Sequence, residues 1–350
     1  MQKLQGKQNL NQALSYCSSF VEDVNDTLLQ IATTSGSSLI GEITSFIVNA
    51  GGKRIRPCQM FLSYGAAIAN FEAAGLRQSK HLSHYTNLVK CGAVVELIHT
   101  ASLLHDDIID EATKRRGKKT ANTIWGNKEV ILVGDYLFAK SFEIIAELGN
   151  QNLVKLLAKA CLNLTSGEVK QLTIRSQITA SLEEYGNIIY QKTASLFECS
   201  SQIGSLVAAL SFDADASLAS PASIALGNFG RLIGNAFQVT DDILDYAGKS
   251  KDLGKQIGKD FLEGKITLPI ILAINESKEL YDIFNSKSFT EANFDKTLQI
   301  LQRTNAINKA KSIALQTTDD AKNAIANLAK GGKAWQILNE LADELASRNL

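Results

Sequence analysis

Apolar residues recur along this chain at intervals of three and four, and strand-like alternation is scarce. The pattern predicts helices near residues 8–33, 38–50, 56–74, 86–110, 128–148, 151–175, 182–211, 219–247 and 268–276, with more beyond 292. Within 86–110, Val94, Leu97, Ile98, Ala101 and Leu104 form an apolar stripe. The breaks at Gly51-Gly52-Lys53-Arg54, Lys114 to Lys119 and Gly248 to Gly264 are Gly-rich and charged, as suits connections at one end of a helical bundle. Residues 276–293 are polar and read as a surface excursion. The expected architecture is all-α and a single domain over 1–350. Its motifs fall between 51 and 269, and a C-terminal helical subregion begins near 292.

Two polar interruptions break the apolar pattern. They are Asp106-Asp107-Ile108-Ile109-Asp110 and Asp241-Asp242-Ile243-Leu244-Asp245, each at the end of a long apolar stretch. Asp106 and Asp110 are one helical turn apart, as are Asp241 and Asp245, so each pair projects from one face. At roughly 100° per residue, His99, Asp106 and Asp110 fall within about 40° of one another, with Ser102 close by. Gln238, Asp241, Asp242 and Asp245 likewise share a face, beside Phe237. The first pair lies near a helix C-terminus, where the macrodipole disfavours carboxylates. One pentad alone reads equally well as a surface salt-bridge cluster with Arg115 and Arg116. Two pentads after apolar helices concentrate more negative charge than an interior tolerates unpaired. Hard divalent cations resolve this, and magnesium keeps positions open for phosphate oxygens. The pair therefore points to a magnesium-bridged diphosphate site.

Charge and composition narrow the partners. The 350 residues carry 36 basic and 36 acidic side chains, a formal net charge of zero. A broad nucleic-acid surface is not expected, and an anionic ligand must be held by local clusters. Three clusters qualify: Lys53, Arg54 and Arg56; Arg115 and Arg116; and Lys255, Lys259 and Lys265. Arginine forks suit bidentate phosphate contacts, and lysine acts as a point charge. Each cluster alone is more often a solvated loop. Gly51-Gly52-Lys53 lacks P-loop spacing. Lys192-Thr193 inside an apolar helix is unusual, although lone lysines there generally snorkel. His81 and His84 read as surface residues, and the four histidines give no zinc site. The five scattered cysteines read as buried free thiols of a reducing compartment. No apolar run approaches a membrane span, and the polar start has no signal-peptide character.

The order and density of these motifs closely resemble the trans-polyprenyl diphosphate synthases. The matching stretches are GGKRIRP at 51–57, ELIHTASLLHDDIIDEATKRRGKKTAN at 96–122, GD at 134–135, GE at 167–168, KTASLF at 192–197, FQVTDDILDYAG at 237–248, and LGKQIGKD with GKITLP between 253 and 269. The resemblance implies an isoprenoid-synthase-type helical bundle around a central cavity, assembled as a homodimer, with Mg2+ as cofactor. It implies that Lys53, Arg56, His99 and Arg116 hold isopentenyl diphosphate. Arg115, Lys192, Thr193, Gln238, Lys255 and Lys265 would surround the allylic diphosphate. Asp106, Asp110 and Asp241 would bind metal, supported by Asp242 and Asp245. Lys192, Thr193 and Gln238 would also stabilise the allylic cation.

Product length follows from the positions four and five residues before Asp106. Short-chain relatives commonly carry bulky aromatics there; here they are Ser102 and Ala101. Small residues leave a tail tunnel open, so a long product for a quinone side chain is expected. Phe138 and Phe142 on the next helix are candidates for its floor. A cytoplasmic enzyme is expected, with at most peripheral membrane contact for product release. The alternatives are a short-chain farnesyl or geranylgeranyl synthase, a terpene cyclase or head-to-head condensing enzyme, and a non-catalytic partner subunit. Cations for a second diphosphate argue against a cyclase, and intact aspartates argue against a silent subunit.

Overall fold

The computed structural model describes residues 12–77, 83–115, 117–174, 181–212, 217–218, 220–247, 257–328 and 332–347. The chain folds as an α-helical bundle: α1 Ser18–Thr33, α2 Ser38–Asn49, α3 Ile55–Ala73, α4 Ser83–Ile109, α5 Ala121–Trp125, α6 Asn127–Glu147, α7 Gln151–Ile174, α8 Leu182–Ile189, α9 Ser195–Ser211 and α10 Pro221–Ala247. Then come α11 Lys259–Leu262, α12 Leu268–Ile274, α13 Lys278–Asn285, α14 Glu291–Arg303, α15 Ala306–Ala324 and α16 Lys333–Ser347. Among the described residues the strands are confined to an antiparallel hairpin, β1 Lys114–Arg115 and β2 Lys118–Lys119.

α9 is the central helix. It packs on α3, α4, α7 and α10. Buried Ser200 and Ser201 show how its polar residues are tolerated. Ser200 Oγ donates to the Leu196 carbonyl at 2.7 Å, and Ser201 Oγ accepts from Gln59 Nε2 of α3 at 2.7 Å. One core cluster joins α4 to α1, α6, α7 and α9, and a second joins α3, α9, α10 and α16. α4 is apolar on nearly every side, from Leu88 through Val94 and Ile98 to Leu104, as a helix enclosed by others must be. Contrary to the sequence expectation, its stretch His84–Ile109 is long and apolar enough to cross a membrane. Its most apolar window is 72% buried inside the bundle, which accounts for that composition.

The polar stretch 276–293 also departs from expectation, because it contains α13. Ser277 caps this helix by accepting from Leu280 N at 3.3 Å. Leu280, Ile283 and Phe284 at i, i+3 and i+4 bury into a cluster with Phe261 and Ile300. Burial of a side chain the size of Phe284 contributes about 1.5–3 kcal/mol, so three apolar residues anchor a mostly polar segment. His84 is half-buried rather than surface-exposed, and His81 lies outside the described residues.

Candidate active site

The two aspartate pentads end α4 and α10 at one end of the bundle, and residues 257–268 connect them. Asp110 Oδ2 lies 3.6 Å from Lys265 Nζ and 4.0 Å from Lys259 Nζ. Asp245 Oδ2 accepts from Asp260 N at 3.0 Å, and its carbonyl accepts from Gly258 N at 2.9 Å. Asp245 thus holds the loop that carries both lysines. Burial opposes the charge on Lys265, but Asp260 and Asp110, joined by Glu263 at 2.7 Å, keep its pKa above the ordinary lysine value.

Between α7 and α10 the helical path changes. Tyr190–Ala194 form a π turn, with Ser195 N donating to the Tyr190 carbonyl, and Lys192-Thr193 sits inside it. Two glycines let neighbouring helices press on this turn. A Cβ at Gly167 would lie 2.8 Å from Lys192 N, and one at Gly234 would lie 2.4 Å from Ala194 Cα. Lys192 pairs with Glu168 and donates to Gln171 Oε1 at 2.7 Å, both on α7. Thr193 Oγ1 donates to Gln238 Oε1 at 2.7 Å. Gln238 Nε2 donates to Asp242 Oδ1 at 2.8 Å, and Tyr185 Oη donates to Asp242 Oδ2 at 2.6 Å. Asp242 is buried with both oxygens engaged by protein donors, whereas Asp106 and Asp241 are half-buried. Gln171, Tyr185, Lys192, Thr193, Gln238 and Asp242 line a cavity of about 120 Å³. Lys192, Thr193, Gln238, Asp242, Asp260 and Lys265 form its polar wall, and Ile174, Ile188, Ile189 and Ile266 its apolar one.

Electrostatics mark this end of the bundle as short of cations. Burial, with Glu168 and Asp110 nearby, pushes Asp106 up to about 6 despite Lys192 and Arg115. Burial and Asp260 push Asp242 up to about 8, against its two hydrogen bonds. Asp107 is raised by burial, while Arg115 holds it at 2.8 Å through both Nε and NH2. Among the described residues no three such ligands converge into a ready-made cage. The donors are nonetheless carboxylate oxygens, and the raised pKa of Asp106 and Asp242 shows a site where added positive charge is favourable. That fits magnesium, which uses one or two carboxylates together with waters and phosphate oxygens.

The first basic cluster divides. Arg54 adopts φ 47° at the start of α3 and turns inward, donating to Asn25 Oδ1 at 2.8 Å and the Val48 carbonyl at 3.0 Å. It also pairs with Glu96 at 3.6 Å and is buried. It is therefore a structural cation, not an anion receiver. Arg56 lies over the Phe197 ring at 4.6 Å, and its buried Nε has no hydrogen-bond partner. Burial lowers its pKa to about 10, and Glu96 and Asp241 oppose that shift, so Arg56 faces the second pentad. Lys53 is exposed beside it, and His99 is half-buried on α4. Ser102 Oγ donates to the His99 carbonyl at 2.8 Å, and Ala101 is fully buried. Arg116 and Lys255 lie outside the described residues. Tyr185, Gln171 and Asp260 join the site without having been singled out in the sequence. Tyr185 gave no signal there because it lies 57 residues from the carboxylate it binds.

An all-α bundle with two opposed carboxylate helices and a cationic cavity wall defines a class of enzymes that handle diphosphates. Residues 37–301 match the Polyprenyl synthetase family, and the chain belongs to it as a prenyltransferase. It is 34% identical over 333 residues to the octaprenyl diphosphate synthase of Haemophilus influenzae, covering 94% of each chain. Its fold is similar to a decaprenyl diphosphate synthase from Rhodobacter capsulatus, with TM-score 0.84 and 31% identity over 97% of this chain and 99% of the other. It is also similar to a polyprenyl synthase from Caulobacter crescentus complexed with calcium and isoprenyl diphosphate. There the TM-score is 0.83 and identity 33%, over 97% and 98% of the two chains.

Proposed function

We propose that this chain adds isopentenyl diphosphate units head to tail to an allylic diphosphate and makes a long-chain all-trans polyprenyl diphosphate for a quinone side chain. The observation that carries the reading is the placement of Asp106 and Asp110 beside the cations Lys192, Lys259 and Lys265. Bound magnesium would be held by Asp106, Asp110 and Asp241 and would neutralise the diphosphate leaving group. Lys192 and Lys265 add positive charge where the diphosphate departs. As the bond from allylic C1 to oxygen breaks, C1 gains cation character beside the oxygens of Thr193 and Gln238. The double bond of isopentenyl diphosphate, oriented by Lys53, Arg56 and His99, attacks C1. The adduct then loses a proton to the departed diphosphate, so no separate protein base is required.

The decisive assay combines the protein, magnesium, farnesyl diphosphate and labelled isopentenyl diphosphate, and sizes the product alcohols. Octaprenyl to decaprenyl alcohols are expected. Arrest at geranylgeranyl would make it a short-chain enzyme, and no elongation would reject the reading. The two diphosphate sites should separate in kinetics. Arg56→Ala should raise KM for isopentenyl diphosphate by about 10-fold or more, while Lys192→Ala should chiefly impair use of the allylic substrate. Equal weakening of both substrates in both variants would refute the division.

A homodimer is supported by α7. Leu162, Val169 and Leu172 are exposed within about 80° of helix surface, while on the same helix Glu168 pairs with Lys192 and Gln171 lines the cavity. Sedimentation at equilibrium should give twice the chain mass. The five cysteines are free thiols, which supports a cytoplasmic setting.

A further inference from the structure

We infer that Gln171 is a further ligand of the allylic diphosphate, offering its amino end as an uncharged donor beside the Lys192 cation. The inference rests on the prenyltransferase reading proposed above and adds to its diphosphate site a residue that lies outside the matching sequence stretches. An ammonium group has three donors and no acceptor, so a side chain that bonds it must present an oxygen. Lys192 Nζ donates to Gln171 Oε1 at 2.7 Å. That contact fixes which end of the carboxamide faces the lysine, whatever the charge on the carboxylates of the second pentad. The amino end is turned away from Lys192, and among the described residues it has no hydrogen-bond partner. Gln171 lines the cavity together with Lys192, so these two N–H groups are available to an occupant.

The placement follows from α7. Gly167, Glu168 and Gln171 lie three and four residues apart and share a face of that helix. Gly167 has no side chain to hold α7 off the π turn, since a Cβ there would meet Lys192 N at 2.8 Å. Glu168 pairs with Lys192, so a carboxylate already anchors the lysine. The carboxamide one turn on supplies what that carboxylate lacks, a pair of N–H donors. Other neutral side chains of the polar wall are bonded among themselves. Tyr185 and Gln238 bond to Asp242, and Thr193 bonds to Gln238. Lys192 also acts on Asp106 across the site, which puts Gln171 beside the place where a metal-bridged phosphate would sit. Phosphate oxygens are strong acceptors for such neutral donors.

The test titrates the full-length protein with inorganic diphosphate and magnesium in a calorimeter, and measures KM for each substrate in single condensations. Gln171→Met keeps the side-chain length and removes the carboxamide. It should weaken diphosphate binding by about 10-fold and raise KM for the allylic substrate by a similar factor. KM for isopentenyl diphosphate should stay within about twofold, and the melting temperature within about 2 °C. A carboxamide that merely props Lys192 would give the same first result, so the change is repeated in a Lys192→Ala background. There it should weaken diphosphate by a further threefold or more, on the order of the loss of one donor. Gln171→Glu keeps an acceptor for Lys192 and loses the donor, so it should weaken diphosphate at least as much as methionine does, and it stands in if the methionine variant does not fold. Wild-type affinity in Gln171→Glu, no further loss in the Lys192→Ala background, or equal rises in KM for both substrates would each overturn the assignment. Diphosphate binding that depends on Gln171, in a wild-type protein inactive on every allylic primer, would uphold the donor role and remove only the prenyltransferase reading.

Discussion

Replacing Asp106 or Asp241 by alanine should lower turnover by about 100-fold or more while the protein remains folded. Both carboxylates stand at the end of the bundle where the proposed reaction places the diphosphate. A parallel stability measurement separates a ligand from a structural residue. Burial raises Asp106 to about 6 from an ordinary value of 3.8, so the folded state holds its proton more tightly than the unfolded chain. Between those two values the native state binds more protons. In metal-free buffer this group therefore costs stability as pH rises from about 4 to 6, and the cost persists above that range. Asp106→Asn should consequently melt no lower than wild type at pH 7 without metal. Added magnesium should raise the melting temperature of the wild type more than that of the variant. A variant that melts well below wild type in metal-free buffer, or keeps near-normal turnover with magnesium, would show that Asp106 supports the fold rather than the metal.

Ala101→Phe should shorten the product while sparing the first condensation. Ala101 is fully buried in the core that α4 shares with α6, α7 and α9, just over one turn before Asp106. If the growing tail passes between these helices, as the proposed function has it, an added ring occupies that path. A blocked tail keeps the new allylic head from returning to the aspartates, so polymerisation stops early. The metal ligands are untouched, so the first addition proceeds. Overpacking costs about 1–3 kcal/mol, and a melting curve must accompany product sizing. An active, folded variant with an unchanged product distribution would move the gate to Phe138 or Phe142. Both pack against the same core, and the Phe138 ring lies 5.9 Å from that of His105.

Much of this architecture was legible because helical periodicity is a local property. The segments expected at 38–50, 128–148 and 151–175 differ by one residue at one or both ends from Ser38–Asn49, Asn127–Glu147 and Gln151–Ile174. The pentads were legible for the same reason, since one-turn spacing is written in consecutive residues. α13 was misread because three apolar residues suffice to anchor a helix whose other positions are solvated. The π turn at Tyr190–Ala194 was not legible, because its register answers to α7 and α10 pressing on it through Gly167 and Gly234. Arg54 and Arg56 look interchangeable in the string GGKRIRP. Backbone geometry separates them, sending one to Glu96 and the other over Phe197.

The cations of the site already have internal anions: Lys192 has Glu168, Lys265 has Glu263 and Asp110, and Arg115 has Asp107. If these residues receive the diphosphate as proposed, its binding is an ion exchange rather than the filling of a bare positive pocket. Each phosphate oxygen displaces a tethered carboxylate that stays close enough to compete for the same lysine. Affinity is then set by a difference between two partners, which keeps it moderate even where several cations converge. An enzyme that must release and recapture the head of its own product at every cycle depends on that moderation. The tethered carboxylates thus favour repeated turnover on one chain over tight retention of any single intermediate.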